Sequence, residues 1–134
     1  MRGVIFSDLG QASSFMALDW VQEALKKSLG FTPFPATLNV RPEGEDDARI
    51  WTAIRTQWSG IPLPPVYRQF CSARLYRIVV EGPSNLSNDK SSGAVLLPNV
   101  AGYPEDKIEI VAPVRLKSAL GVGDGDPLTL EFVN

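Results

Sequence analysis

The sequence predicts a mainly β protein, a closed or nearly closed barrel decorated by one long α-helix. Three observations carry that expectation. Short β-branched and aromatic segments recur along the chain between stretches rich in glycine, proline, asparagine and aspartate. Only one segment carries a long apolar stripe at helical period. No internal repeat, low-complexity tract or linker divides the 134 residues, a length that suits one domain with its own core. Residues 1–134 are therefore expected to form a single barrel domain.

Taken in order, Gly3 to Ser7 reads as a strand ended by the polar stretch Asp8-Leu9-Gly10-Gln11-Ala12-Ser13-Ser14. The helix follows, with Leu18, Val21, Leu25 and Leu29 on one stripe. Asp19 and Gln22 have capping-box spacing, Gly30 stands where a C′ glycine ends a helix, and Lys26 and Lys27 suit the negative pole of its dipole. Pro33 and Pro35 exclude helix and lead to a short strand, Thr37 to Arg41. A second helix is expected over Asp47 to Gln57, where Ile50, Trp51 and Ile54 cluster, and a loop over Gly60 to Pro65 with its three prolines. Further strands are expected at Ser72 to Val80, Gly93 to Leu97, Lys107 to Val111 and Leu128 to Val133. Gly82 to Ser92 reads as a polar excursion, Pro113 to Leu120 as a short helix started by proline, and Gly121 to Asp126 as a turn.

Composition narrows the chemistry. The chain has no histidine and one cysteine, which removes Ser-His-Asp triads, Cys-His dyads, imidazole zinc sites and internal disulfides, and makes a reducing compartment the default. With 13 basic and 15 acidic residues, a net charge of −2 argues against a nucleic-acid binder. No apolar run approaches the ~20 residues of a membrane span, and the N-terminus is too short for a signal peptide. The expectation is a cytoplasmic domain working through carboxylates, hydroxyls, amides, Lys/Arg and backbone N–H groups.

Four segments then point to a family: Ser7-Asp8-Leu9-Gly10-Gln11-Ala12; Leu29-Gly30-Phe31-Thr32-Pro33-Phe34-Pro35-Ala36-Thr37-Leu38-Asn39-Val40; Ile108-Glu109-Ile110-Val111-Ala112-Pro113-Val114-Arg115-Leu116-Lys117; and Gly123-Asp124-Gly125-Asp126. Together they resemble the CTP-dependent riboflavin kinases typical of archaea, over essentially the whole chain. The resemblance implies a six-stranded cradle-loop barrel that phosphorylates riboflavin to FMN with CTP and Mg²⁺. Some members of that family carry an N-terminal winged helix, for which this sequence is expected to leave no room.

Thr37 and Asn39, two apart on a strand, share one face while Leu38 takes the other. A hydroxyl and an amide oxygen suit a hard cation. Both are neutral, so nucleotide phosphates and water would complete the shell. The resemblance makes them the Mg²⁺ ligands; the same residues also suit the end of a turn after Pro35. It assigns nucleotide binding to Leu9, Gly10, Gln11, Ala12 and Ser13, in a loop where small residues let backbone N–H groups approach phosphate. The family's loop has glycine at three nearby positions. Here Gly10 remains, while Asp8 and Ala12 replace the others, and on this segment alone an ordinary strand-to-helix loop is the better reading. Val114, Arg115, Leu116 and Lys117 match the family's second nucleotide segment, with Lys117 replacing a common arginine and losing its planar fork. Basic residues near a helix end are otherwise unremarkable.

Glu109 lies between Ile108 and Ile110 and so faces away from the core. The resemblance sets it against the flavin, where a carboxylate could accept the ribityl 5′-hydroxyl proton as that oxygen attacks phosphorus, a catalytic role. The alternative is a solvated strand carboxylate. Ala101 and Tyr103 stand where the family contacts flavin with a threonine and often has a histidine, and Ala36 replaces a glycine before Thr37. Tyr103 either stacks on the isoalloxazine or fills the barrel mouth. Cys71 reads as a small buried hydrophobe, the tryptophans (Trp20, Trp51, Trp58) as core, and Glu43, Glu45, Asp46 and Asp47 as a solvated loop and first helical turn.

The reading is a phosphotransferase for riboflavin or a similar small molecule, with CTP as donor and Mg²⁺, and no nucleic-acid or membrane partner. The alternative is a barrel that has lost turnover and binds nucleotide or flavin, favoured by Asp8, Ala12 and Ala101. A DNA-binding barrel is disfavoured by the charge. Oligomeric state, donor and true acceptor stay open.

Overall fold

A computed structural model describes residues 1–7, 16–64, 72–83 and 90–133. Among the described residues, seven strands and three helices follow in order: β1 (Arg2–Ile5), α1 (Asp19–Leu29), β2 (Leu38–Pro42), α2 (Glu45–Gln57), β3 (Ile61–Leu63), β4 (Ala73–Glu81), β5 (Lys90–Pro98), β6 (Ile108–Val111), α3 (Leu116–Leu120) and β7 (Pro127–Phe132). The strands pair in the order β3-β4-β5-β6-β2-β1-β7, and β7 returns to pair with β4. Six strands thus close an antiparallel barrel, and β3 lies beyond β7 along the same edge of β4.

Alternation on the strands feeds two cores on opposite sides of one wall. Inside the barrel, Ile5, Leu38, Val40, Ile78, Ile108 and Ile110 pack together with Trp51 and Ile54 of α2. Trp51 stacks on Phe132 at 6.0 Å between ring centres. Outside, Val21, Leu25 and Leu29 of α1 cover Leu63, Leu75, Ala94, Leu96 and Val111. The predicted stripe of α1 is therefore its buried face, except that Leu18 precedes the helix and is exposed. Gly93 marks where β5 and β6 come closest, since a Cβ there would stand 2.7 Å from the Val111 carbonyl oxygen.

Four expectations need correcting. Leu18, not Asp19, is the N-cap of α1, with no side-chain capping bond. The Gln22 amide instead donates to the Met16 carbonyl at 2.6 Å, which ties the approach to the helix. Gly60–Pro65 is not all loop: Ile61–Leu63 pairs with Leu75–Ala73. Pro62 is tolerated there because β3, among the described residues, is an edge strand paired on one side only. The polar Lys90, Ser91 and Ser92 belong to β5, where they pair with Glu81, Val80 and Val79 of β4. Finally, Pro113 does not open α3, which starts at Leu116 after an extended Arg115 N-cap, because the fixed φ of proline serves a bend as well as a helical turn.

Other expectations match. Gly30 (φ 84°) closes α1, and Glu45, Asp46 and Asp47 form the first turn of α2. Cys71 and the loop residues Asp8 to Ser14 lie outside the described residues. No described helix is long and apolar enough to cross a membrane.

Candidate functional site

β2 and β6 run side by side, and their register sets Asn39 opposite Glu109, with Leu38 opposite Ile110 and Val40 opposite Ile108. The two isoleucines point into the barrel, so Asn39 and Glu109 share the outer face, and Thr37 continues it just before β2. Leu96, the β5 partner of Glu109, belongs to the outer apolar core. The polar row thus begins where the row covered by α1 ends.

The oxygens in that row are unusual. Thr37 Oγ1 and Asn39 Oδ1 are both buried and have no hydrogen-bond partner among the described residues. An unmet buried oxygen costs about 1–3 kcal/mol, so two side by side call for an electropositive partner. Their chemistry fits a hard divalent cation that arrives with most of its shell supplied by phosphates and water. Among the described residues there is no cluster of three or more Cys, Asp or Glu of the kind that would bind a metal on its own.

Beside Thr37 a cavity of about 150 Å³ is walled by Ala36, Val114, Arg115, Leu116 and Lys117. The Phe34 N–H donates to the Ala112 carbonyl at 2.7 Å and clamps its two sides together. The segment predicted to hold nucleotide is thus brought against a predicted metal ligand. Its members differ in what they offer. Leu116 is buried in the barrel core and supplies wall, whereas Val114 and Arg115 are exposed. Arg115 donates to Ser118 Oγ at 2.8 Å, and Lys117 Nζ lies 3.1 Å from Asp124 Oδ1. Ser7 Oγ donates to the other Asp124 oxygen. The Ser7 hydroxyl, then Lys117, hold the Asp124 carboxyl below its ordinary range. Leu9, Gly10, Gln11, Ala12 and Ser13 lie outside the described residues.

At the other end of the row Glu109 is 7% exposed, so it is not a solvated strand carboxylate. The Tyr103 hydroxyl donates to Glu109 Oε2 at 2.7 Å, and Lys107 Nζ stands 3.9 Å from Oε1 and 5.7 Å from the centre of the Tyr103 ring. Tyr103 lines a cavity of about 390 Å³ shared with Trp51, Arg74 and Asn99. Ala101 is exposed in the preceding turn and offers only a methyl group. Lys107, Ser7 and Asp124 went unrecognised in the sequence. Lys107 had a signal, since it lies two residues before Glu109 on a strand and therefore on its face; Ser7 and Asp124 meet only through the fold.

A closed barrel with two unmet oxygens, a basic cavity on one side and a buried carboxylate on the other defines a ligand-handling barrel rather than a structural one. The family model for CTP-dependent riboflavin kinase, described as a domain of unknown function, DUF120, matches residues 5–132. The chain belongs to this family. Proteins named riboflavin kinase are similar along nearly all of it: one from Pyrobaculum arsenaticum is 33% identical over 98% of this chain and 59% of its own length. Those from Methanoregula boonei and Saccharolobus solfataricus are 32% and 30% identical over 98% of this chain, covering 56% and 72% of the relatives. The chain spans about three fifths of the length of the first of these relatives.

Proposed function

We propose that this chain is the catalytic barrel of a riboflavin kinase, which transfers the terminal phosphoryl group of CTP to the ribityl 5′-hydroxyl of riboflavin, yielding FMN and CDP. The observation that carries the reading is the buried pair Thr37 Oγ1 and Asn39 Oδ1, without a partner among the described residues, between the basic cavity and Glu109. Membership of the family supports it, and so do the names of the relatives.

In this reading the nucleotide lies toward Arg115 and Lys117, which supply positive charge for its phosphates. At about 150 Å³ the cavity accommodates part of a nucleotide rather than all of it. Thr37 and Asn39 would hold Mg²⁺ through their neutral oxygens. When bound, that ion supplies charge against the phosphate oxygens as they pass through the transition state. The flavin lies toward Glu109 and Tyr103, with space beside the Tyr103 ring for a flat apolar group. Glu109 accepts a hydrogen bond from the acceptor and holds it beside the donor phosphates.

The direct test incubates the protein with riboflavin, Mg²⁺ and each nucleoside triphosphate in turn and resolves FMN by chromatography. FMN is expected with CTP above all other donors. No FMN with any donor, alongside measurable CDP binding, would replace the kinase with a binding module.

A further inference from the structure

Glu109 is the one charged residue buried among those described, and a buried carboxylate is held by its partners. The chain brings one partner back over it. Gly102, at φ 80°, turns the β5–β6 connection, the Tyr103 N–H closes the turn on the Val100 carbonyl at 3.2 Å, and the phenol reaches Glu109 Oε2. Lys107 supplies charge balance from the side of Oε1, at a distance of 3.9 Å that is beyond hydrogen bonding. The two carboxylate oxygens are therefore unequal. Oε2 is taken by a short bond from a neutral donor, and Oε1 keeps lone pairs that Lys107 does not engage.

We infer that Tyr103 is a positioning residue for acceptor recognition: by fixing Oε2 it locks the Glu109 carboxylate so that Oε1 presents a hydrogen-bond acceptor to an O–H or N–H of the flavin. The inference rests on the proposed flavin site and narrows it. Tyr103 works through Glu109 rather than by stacking, and it governs the affinity for the acceptor more than the transfer step. A carboxylate free to rotate about its last torsion loses orientation in the bound state, which weakens binding without changing the phosphate chemistry.

The experiment is a double-mutant cycle read by quenching of riboflavin fluorescence and by steady-state kinetics. Tyr103→Phe keeps the ring and removes only the hydroxyl. In the parent background it is expected to weaken riboflavin binding about tenfold and to raise KM for riboflavin equally, with kcat within about twofold. In a Glu109→Ala background the same change should have an effect below about twofold, because the hydroxyl has lost the group it positions. Glu109→Leu serves as the second background should the alanine variant fail to fold. Equal losses in both backgrounds would overturn the inference in favour of direct contact between Tyr103 and the ligand. So would unchanged binding in the Tyr103→Phe protein. A parent protein that binds no riboflavin would overturn the flavin site itself, and the inference with it.

Discussion

The two ends of the polar row are built on opposite principles. At the proposed nucleotide end, Lys117 and Asp124 form an exposed pair beside a cavity, with side chains 30% and 52% accessible. At the proposed acceptor end, Glu109 and Lys107 are 9% and 19% accessible, and a neutral phenol bonds the carboxylate. Exposed ions are screened by water and salt and are easily exchanged for the charges of a ligand. A buried, hydrogen-bonded carboxylate is held in one arrangement, because an unpaired one is costly. The difference suits a site that takes up and releases a highly charged donor at one end and recognises a mostly uncharged acceptor at the other.

The largest effect is expected where the two ends meet. A Thr37→Ala, Asn39→Ala double variant should lower kcat about a thousandfold and abolish the Mg²⁺ dependence of CDP binding, measured calorimetrically with and without the ion. Equal Mg–CDP affinity in variant and parent would break the assignment of the row. Next comes Glu109→Ala. It should reduce kcat/KM for riboflavin about a hundredfold while leaving KM for CTP within about twofold, and a change in the CTP term of similar size would erase the distinction between the ends.

Lys117→Ala should do the reverse more mildly, raising KM for CTP about fivefold, and raising the ionic strength from 0.05 to 0.5 M should weaken CTP far more than riboflavin. The smallest effect is in stability. The carboxyl of Asp124 is held below its ordinary value by Ser7 and Lys117, so its contribution is fully present above the ordinary carboxylate range and is lost as pH falls through its depressed value. In melting temperature measured against pH, Asp124→Asn should lie slightly below the parent in the neutral region and converge with it as pH falls, which flattens the acid limb.

Much of the fold could be read from the chain because alternation and stripe were strong. Ile108-Glu109-Ile110 alone orients β6, and Val21, Leu25 and Leu29 define the face of α1. What escaped was set by pairing rather than by local pattern. Pro62 made Ile61–Leu63 look like loop, yet an edge position removes the penalty; Lys90-Ser91-Ser92 looked like excursion, yet β4 supplies the partners for a ladder. The expectation of a metal at Thr37 and nucleotide at residues 115–117 came from the resemblance, and the meeting of these residues at one cavity is the work of the fold. The direction of Glu109 was legible from its neighbours. Its burial was not, because that depends on a tyrosine six residues away folding back through a glycine turn.

Asn39 and Glu109 are seventy residues apart in sequence, and the strand pair that closes the barrel joins Arg2 to Thr129. Thr37 and Asn39 meet Glu109 only when β2 pairs with β6. Chain entropy must be lost before the row exists, which favours slow, all-or-none folding over stepwise assembly. A ribosome would release most of this polypeptide before any of it could grip a nucleotide. Once the barrel closes, a ligand bound across β2 and β6 would tie together parts of the chain that meet last, and would slow their separation.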